Sequence, residues 1–322
     1  MTTSPLPRRL AALATIAALA LLPGCSLKRM AVKSVANSLT TGTDVFATDD
    51  DPELVRDALP FGLKTMESLL ATIPDHEGLL LALCQGYTQY AFAFVQSEGD
   101  LLVNTDYARA TALHERAFKL FVRARGYGLR ALARRHPGIA DSLALAPERA
   151  VARLTTQDLP ALYWTAASWG SAISLGKDKP EMLADLSAIR ALVERGLVLD
   201  ERYQAGAFHE AAMVLDAIPG GGGTPESVRR HFARALEIAH ESRPSPYVTL
   251  AQSVSVQTQD RAEFVRLLEH ALTFDPDRDP QQRLATIVLQ RKAKALLARQ
   301  DEFFLDDASP TEADTTTTQE NR

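Results

Sequence analysis

Cysteine is nearly absent: Cys25 and Cys84 are the only two in 322 residues. That excludes a disulfide-stapled scaffold and a four-thiolate zinc site. Aromatic residues are scarce at 7%, and no stretch alternates apolar and polar residues with period two, so sheets are not expected. Positive charge is not in excess. Thirty-five Lys and Arg stand against forty Asp and Glu, for a net charge of −5, which leaves no general basic face for nucleic acid.

Catalytic and metal-binding signatures are missing as well. His114-Glu115 and His209-Glu210 begin like a zinc-protease helix, but Phe118 and Met213 occupy the places of the second histidine. Asp275, Asp277 and Asp279 are spaced like a calcium loop, yet its sixth position is Pro280 and its twelfth Thr286. No Gly-x-Ser-x-Gly elbow occurs. The run Gly220 to Gly223 lacks the Lys-Ser or Lys-Thr of a phosphate loop and reads as a turn between helices. These absences predict no catalytic residue, no metal and no cofactor. Scattered carboxylates leave an unrecognised hydrolase as a residual alternative.

What the chain does have is alanine, leucine and a distinctive start. Arg8 and Arg9 precede an apolar run from Leu10 to Leu22, broken only by Thr15. Such a run is too short to cross a bilayer, which takes about 20 residues, and has the form of a secretory signal peptide. It ends in Leu22-Pro23-Gly24-Cys25, which resembles a bacterial lipobox. Cleavage before Cys25 and lipidation of its thiol are expected. Ser26, not Asp, follows; by the sorting rule of enteric bacteria that favours the outer membrane. Cys84 lies in an apolar helical stretch and is expected to be buried. The expected organisation is a signal peptide over 1–24, a helical-repeat domain over 25–305 and a disordered acidic, Thr-rich tail over 306–322.

The body reads as an all-α array of antiparallel helix pairs. Asp49-Asp50-Asp51-Pro52-Glu53 offers N-cap carboxylates, a Pro at N1 and acid in the first turn. Helices are predicted to about Ala71, over 77–96, over 106–134, in short pieces over 139–154, and then over 157–175, 180–199, 201–217, 225–241, 246–256, 260–274 and 280–299. Small residues recur near helix ends at Gly196, Ala235 and Ala271, spaced by 39 and 36. With Phe264, Leu268, Ala271 and Pro276, the last unit resembles the tetratricopeptide pattern, which implies a tetratricopeptide-like superhelix. Pairs of this kind have a face that they cannot bury alone and must stack.

Two aromatic clusters stand out. Tyr87, Tyr90 and Phe94 share one helix face, with Phe92 beside them, and Tyr163, Trp164 and Trp169 sit in another helix beside small residues. They are candidates to line a cavity for an apolar or ring-bearing ligand, with core packing as the alternative. Arg123 to Arg130 sets several cations and two glycines, Gly126 and Gly128, inside a long helix. Close helix contact under a solvated basic stripe is the simpler reading, and an anion or partner contact the other.

Several strings together resemble one family. They are Phe46 to Phe61, Gly86 to Val95, Arg125 to Arg130, Leu162 to Gly170, Gly206 to Glu210 and the run from Ser245 through Asp277. The chain is similar over most of its mature length to the T-component lipoproteins of tripartite (TRAP) transporters, the TatT family. The resemblance implies an all-helical lipoprotein on the periplasmic side of the envelope. It implies association with the transporter's solute-binding protein, and possession or passage of a hydrophobic small molecule. The membrane is then reached through the N-terminal lipid, and self-association is open to such an array. A general scaffold for envelope assembly is the alternative from a different class.

Overall fold

The computed structural model describes residues 24–41, 45–176, 179–218 and 222–305. The expected signal peptide and the expected tail from residue 306 on lie outside the described residues, apart from Gly24. Of the described residues 80% are helical and none is in a strand, as the composition predicts.

The helix ends follow capping chemistry. The α1 helix, Gly24–Thr40, was not expected from the sequence; it docks through the buried Ala36 and an Asn37 Oδ1 to His76 Nε2 contact of 3.0 Å. The α2 helix, Pro52–Thr72, starts where Asp51 accepts from the amides of Glu53 and Leu54. The α3 helix, Glu77–Leu102, is capped by His76, whose Nδ1 accepts from the Leu79 amide at 3.2 Å. It runs past the expected end at Gln96 because residues Ala91–Gln96 form a π segment that carries the chain onward. This helix is long and apolar enough to cross a membrane by composition, but half of the window that qualifies is buried inside the fold. The α4 helix, Tyr107–Arg135, is capped by Asp106.

Two short helices follow, α5 (Ile139–Leu145) and α6 (Pro147–Val151). A Thr155–Asp158 capping box then introduces α7, Leu159–Leu175. The predicted helix over 180–199 is two, α8 (Pro180–Ala184) and α9 (Leu186–Asp200). The break falls at Asp185, whose carboxylate receives Trp169 Nε1 at 2.9 Å and Arg125 at 3.2 Å. The helix expected from 201 begins only with α10, Ala207–Asp216, because Gln204, Ala205 and Gly206 hold positive φ. The chain closes with α11 (Pro225–Ala239), α12 (Ser245–Leu250, continued by a π segment at Ala251–Ser255), α13 (Arg261–Leu272) and α14 (Arg283–Ala298).

Three apolar clusters hold these helices. Leu63, Leu83 and Phe121 anchor the first, Leu162, Ile189 and Phe208 the second, and Phe264, Leu268 and Ala271 the third. Helices α3, α4 and α7 pack tightly together at Gly128. A Cβ there would stand 2.3 Å from Thr165 Oγ1 and 2.9 Å from Cys84 Sγ. The array also returns on itself. The Leu284 amide donates to the Ala47 carbonyl at 3.1 Å and Arg283 to the Thr48 carbonyl at 3.1 Å, so α14 lies beside the entrance to α2.

Candidate functional site

Because α14 returns to the start of α2, the array surrounds a half-open cavity of about 780 Å³. Its wall is built from the start of α2, the C-terminal part of α3, the ends of α7 and α10, α12 and α14. Both π segments line it: Phe92, Ala93, Phe94 and Gln96 from α3, and Gln252 and Ser253 from α12. A π turn widens the helix and redirects its side chains, which is why such turns gather at functional sites. In α3 the widened turn is held by Ser97 Oγ donating to the Phe92 carbonyl at 2.8 Å. Apolar walls come from Phe92, Leu175, Val214, Ile218, Val248 and Leu289.

One side of the cavity is polar. Lys292 is 12% exposed and stands 3.7 Å from Asp100 Oδ2, with its ammonium 5.0 Å above the Phe92 ring. Asp100 is shared, since its Oδ1 meets His114 Nε2 at 2.9 Å. Arg299 donates to the Asp100 carbonyl from the other side. Burial pulls the Lys292 pKa below the usual lysine value, against the opposing pull of Asp100. Gln96 Oε1, in the same wall, is buried without a hydrogen-bond partner. A smaller cavity of about 420 Å³ adjoins, lined by Tyr90, Asp57 and Arg116 among others. Phe94, Arg56 and Glu98 belong to both walls, so they separate the two spaces.

Of the aromatic residues singled out in the sequence, Phe94 faces both cavities and Tyr90 the smaller one, with ring centroids 5.9 Å apart. Tyr87 is not in either wall. It stacks on Tyr127 at 6.1 Å, and both hydroxyls donate to Glu67 Oε1, at 2.9 and 2.8 Å. Arg123 lies over the Tyr87 ring, which gives the basic stretch of α4 its local role. Burial, and to a lesser degree Glu67, push the Tyr87 hydroxyl's pKa up, and Arg123 opposes them. Tyr163 packs edge-on against Trp164 and Phe208, at 5.0 and 5.5 Å, within the second apolar cluster. Trp169 donates to Asp185 beneath the Arg125 guanidinium. Tyr163, Trp164 and Trp169 are likewise outside both walls.

This polar group was not found from the sequence: Asp100 and His114 lie 14 residues apart on consecutive helices, His114 drew notice only as the start of an incomplete zinc-protease motif, and Lys292 joins them from α14, far along the chain. Lys292 alone left a signal: it interrupts an apolar stripe of α14 that runs through Val288, Leu289 and Leu296. Among the described residues, no group of three or more His, Cys, Asp or Glu could hold a metal ion. The arrangement suits a mainly apolar molecule with one polar end.

The model of a protein family described as "TRAP transporter T-component" matches residues 48–304. A protein of Treponema pallidum (strain Nichols), described only as uncharacterized, is 30% identical over 303 residues, covering 88% of this chain and 94% of its own.

Proposed function

The chain belongs to the TRAP transporter T-component family, and from that premise we propose that it binds the transporter's solute-binding protein and holds a mainly apolar small molecule in the large cavity. As a TRAP transporter component it works at the cell envelope. In this reading it is a non-enzymatic accessory. Residues 1–24 direct export, Cys25 carries the lipid that fixes the protein to the outer membrane, residues 25–305 form the working domain, and the tail after 305 takes no part in the core.

The observation that carries the ligand half of this reading is the cavity itself. Native helices avoid π turns, yet two of them face the same space. Apolar side chains left uncovered around so large a void forgo packing that a closed core would supply, and a bound apolar molecule restores it. Lys292 and Gln96 then meet the polar end of that molecule. Phe94 is the residue of the original aromatic set that we place at the ligand, with Tyr90 behind it.

Partner binding is tested by mixing the purified protein with the solute-binding subunit of a TRAP system from the same genome. Co-elution on size exclusion, with heat released on titration, supports the accessory role. Separate elution, together with recovery of envelope-assembly factors alone in a pulldown, would support the scaffold alternative instead.

A further inference from the structure

Two imidazoles meet nitrogen to nitrogen where α10 packs on α11. His209 Nδ1 and His231 Nδ1 are 2.8 Å apart. His209 is buried and His231 partly covered. His209 opens one of the incomplete zinc-protease strings of the sequence, and the transport reading makes no use of it. A carboxylate stands behind each ring. His209 Nε2 faces Glu201 Oε2 at 3.4 Å, and Glu201 is held by Arg234 of α11, with Nε to Oε2 at 3.1 Å. His231 Nε2 faces Asp216 Oδ2 at 4.0 Å, and Asp216 pairs with Arg190 of α9 at 3.1 Å. Arg230, beside His231 on α11, adds positive charge at that ring. Glu210, next to His209, turns to Arg243 at 3.8 Å.

This contact counts protons. Two ring nitrogens form a hydrogen bond only if one carries a hydrogen and the other a lone pair. Glu201 accepts from His209 Nε2–H, which leaves His209 Nδ1 as the acceptor and His231 Nδ1–H as the donor. A first added proton fits on His231 Nε2, towards Asp216, and leaves the bond intact. A second finds only His209 Nδ1. It places a hydrogen on both facing nitrogens and a positive charge on both rings, so attraction becomes repulsion. Burial is the largest influence on both rings and holds their pKa values below the usual histidine value; the nearby arginines help, and Glu201 and Asp216 oppose. A ring depressed in this way leaves the folded state without a proton that the unfolded chain takes up. Its hold is full above the ordinary histidine range and weakens as pH falls through that range.

The contact secures one wall of the large cavity. Asp216 lies between Val214 and Ala217, and these two with Ile218 line that wall. We propose that His209 and His231 form an acid-sensitive latch: at least one of the two imidazoles must stay neutral for α10 to hold to α11, and protonation of both releases the end of α10 and weakens the cavity's grip on its ligand. The last step rests on the reading of the cavity as a ligand site; the latch itself does not.

The test compares the unchanged protein with His231→Gln. The new side-chain carbonyl can accept from His209 Nδ1–H, so the refused proton becomes acceptable. By NMR of histidine-labelled protein, with His209→Gln to identify the resonance, His209 should titrate about one pH unit or more higher in His231→Gln than in the unchanged protein. Titration at the same pH in both overturns the proposal. In the unchanged protein alone, two of the seven histidines should titrate in coupled steps; independent single steps for all seven would contradict it without any variant. Hydrogen exchange at pH 5 reads the latch with no ligand present. The amides of Ala207–Asp216 should exchange several-fold faster in the unchanged protein than in His231→Gln, and equal exchange overturns the latch. The cavity step is read with N-phenyl-1-naphthylamine. Its affinity for the unchanged protein should fall about threefold or more from pH 7.5 to pH 5, and less for His231→Gln. An equal fall in both proteins refutes the link to the cavity. No probe binding at pH 7.5, with titration and exchange as expected, would sink the ligand reading and leave the latch standing.

Discussion

Arg291 and Glu53 lie 238 positions apart in the chain and meet as a two-pronged ion pair, with Nη2 to Oε2 at 3.1 Å. The pair joins the last long helix to the second, at the rim of the large cavity. It is what a closed array needs and what an open superhelix would not make. Both side chains are half exposed, 52% and 58%, so solvent screens them and the pair should contribute less than about 1 kcal/mol. The hydrogen bond from Arg291 is the main cause that holds the Glu53 carboxyl below its usual pKa. A carboxyl depressed in the folded state stabilises above its unfolded pKa and loses that contribution as pH falls through the folded value. Glu53→Gln should therefore cost a little stability at pH 7 and nothing once the pH is well below the carboxylate range. Urea unfolding of both proteins at the two pH values checks this.

The two glycines of α4 should respond in opposite directions. A Cβ on Gly126 meets nothing within 4 Å, and Gly126 is exposed. Gly126→Ala should stabilise by about 0.5–1 kcal/mol, since alanine is the better helix former. Gly128→Ala drives a methyl into Thr165 and Cys84 and should destabilise by about 1–3 kcal/mol. Denaturant midpoints of the two variants decide it. Equal shifts would show that α3, α4 and α7 do not cross where the structure has them.

Cys84 is fully buried, and burial pushes its thiol up to about 12. At pH 8 it should be protonated and out of reach. With Cys25 replaced by Ser, Ellman's reagent should find no thiol in the native protein and one after unfolding in guanidinium. Rapid labelling of the native form would show that the α3–α4–α7 contact opens easily.

Lipidation rests on Leu22-Pro23-Gly24-Cys25 at the end of the apolar run. The Cys25→Ser form should lack the acylated N-terminal peptide seen by mass spectrometry in the unchanged protein and should leave the membrane in high salt.

Much of the fold can be read from the sequence because helix ends are local. Asp51-Pro52, Asp106, Thr224-Pro225 and Asp260 cap helices with side chains two or three residues from the amides that they satisfy. The π segments have no such signature, so α3 reads as ending at Gln96. The start of α10 is set by backbone conformation at Gln204 and Ala205, two residue types that rarely take positive φ, and the sequence gives no warning of it. The site is less legible than the fold. Aromatic clusters are visible as clusters, but whether a ring fills a core or faces a void depends on its neighbours from other helices. Tyr163 meets Tyr203 and Phe208, whereas Phe94 meets open space. Asp100 and His114 meet across consecutive helices, but Lys292 reaches them only after the chain has closed.

The central claim is that the large cavity takes up an apolar molecule, and titration of an uncharged fluorescent probe, N-phenyl-1-naphthylamine, tests it most directly. The variant to compare is Ala93→Trp, which places an indole into the cavity from the π segment of α3. Saturable fluorescence enhancement is expected for the unchanged protein, with loss of most of it in Ala93→Trp and little change in melting temperature. Absence of saturable binding by the unchanged protein, or equal binding by a folded Ala93→Trp variant, would contradict the account.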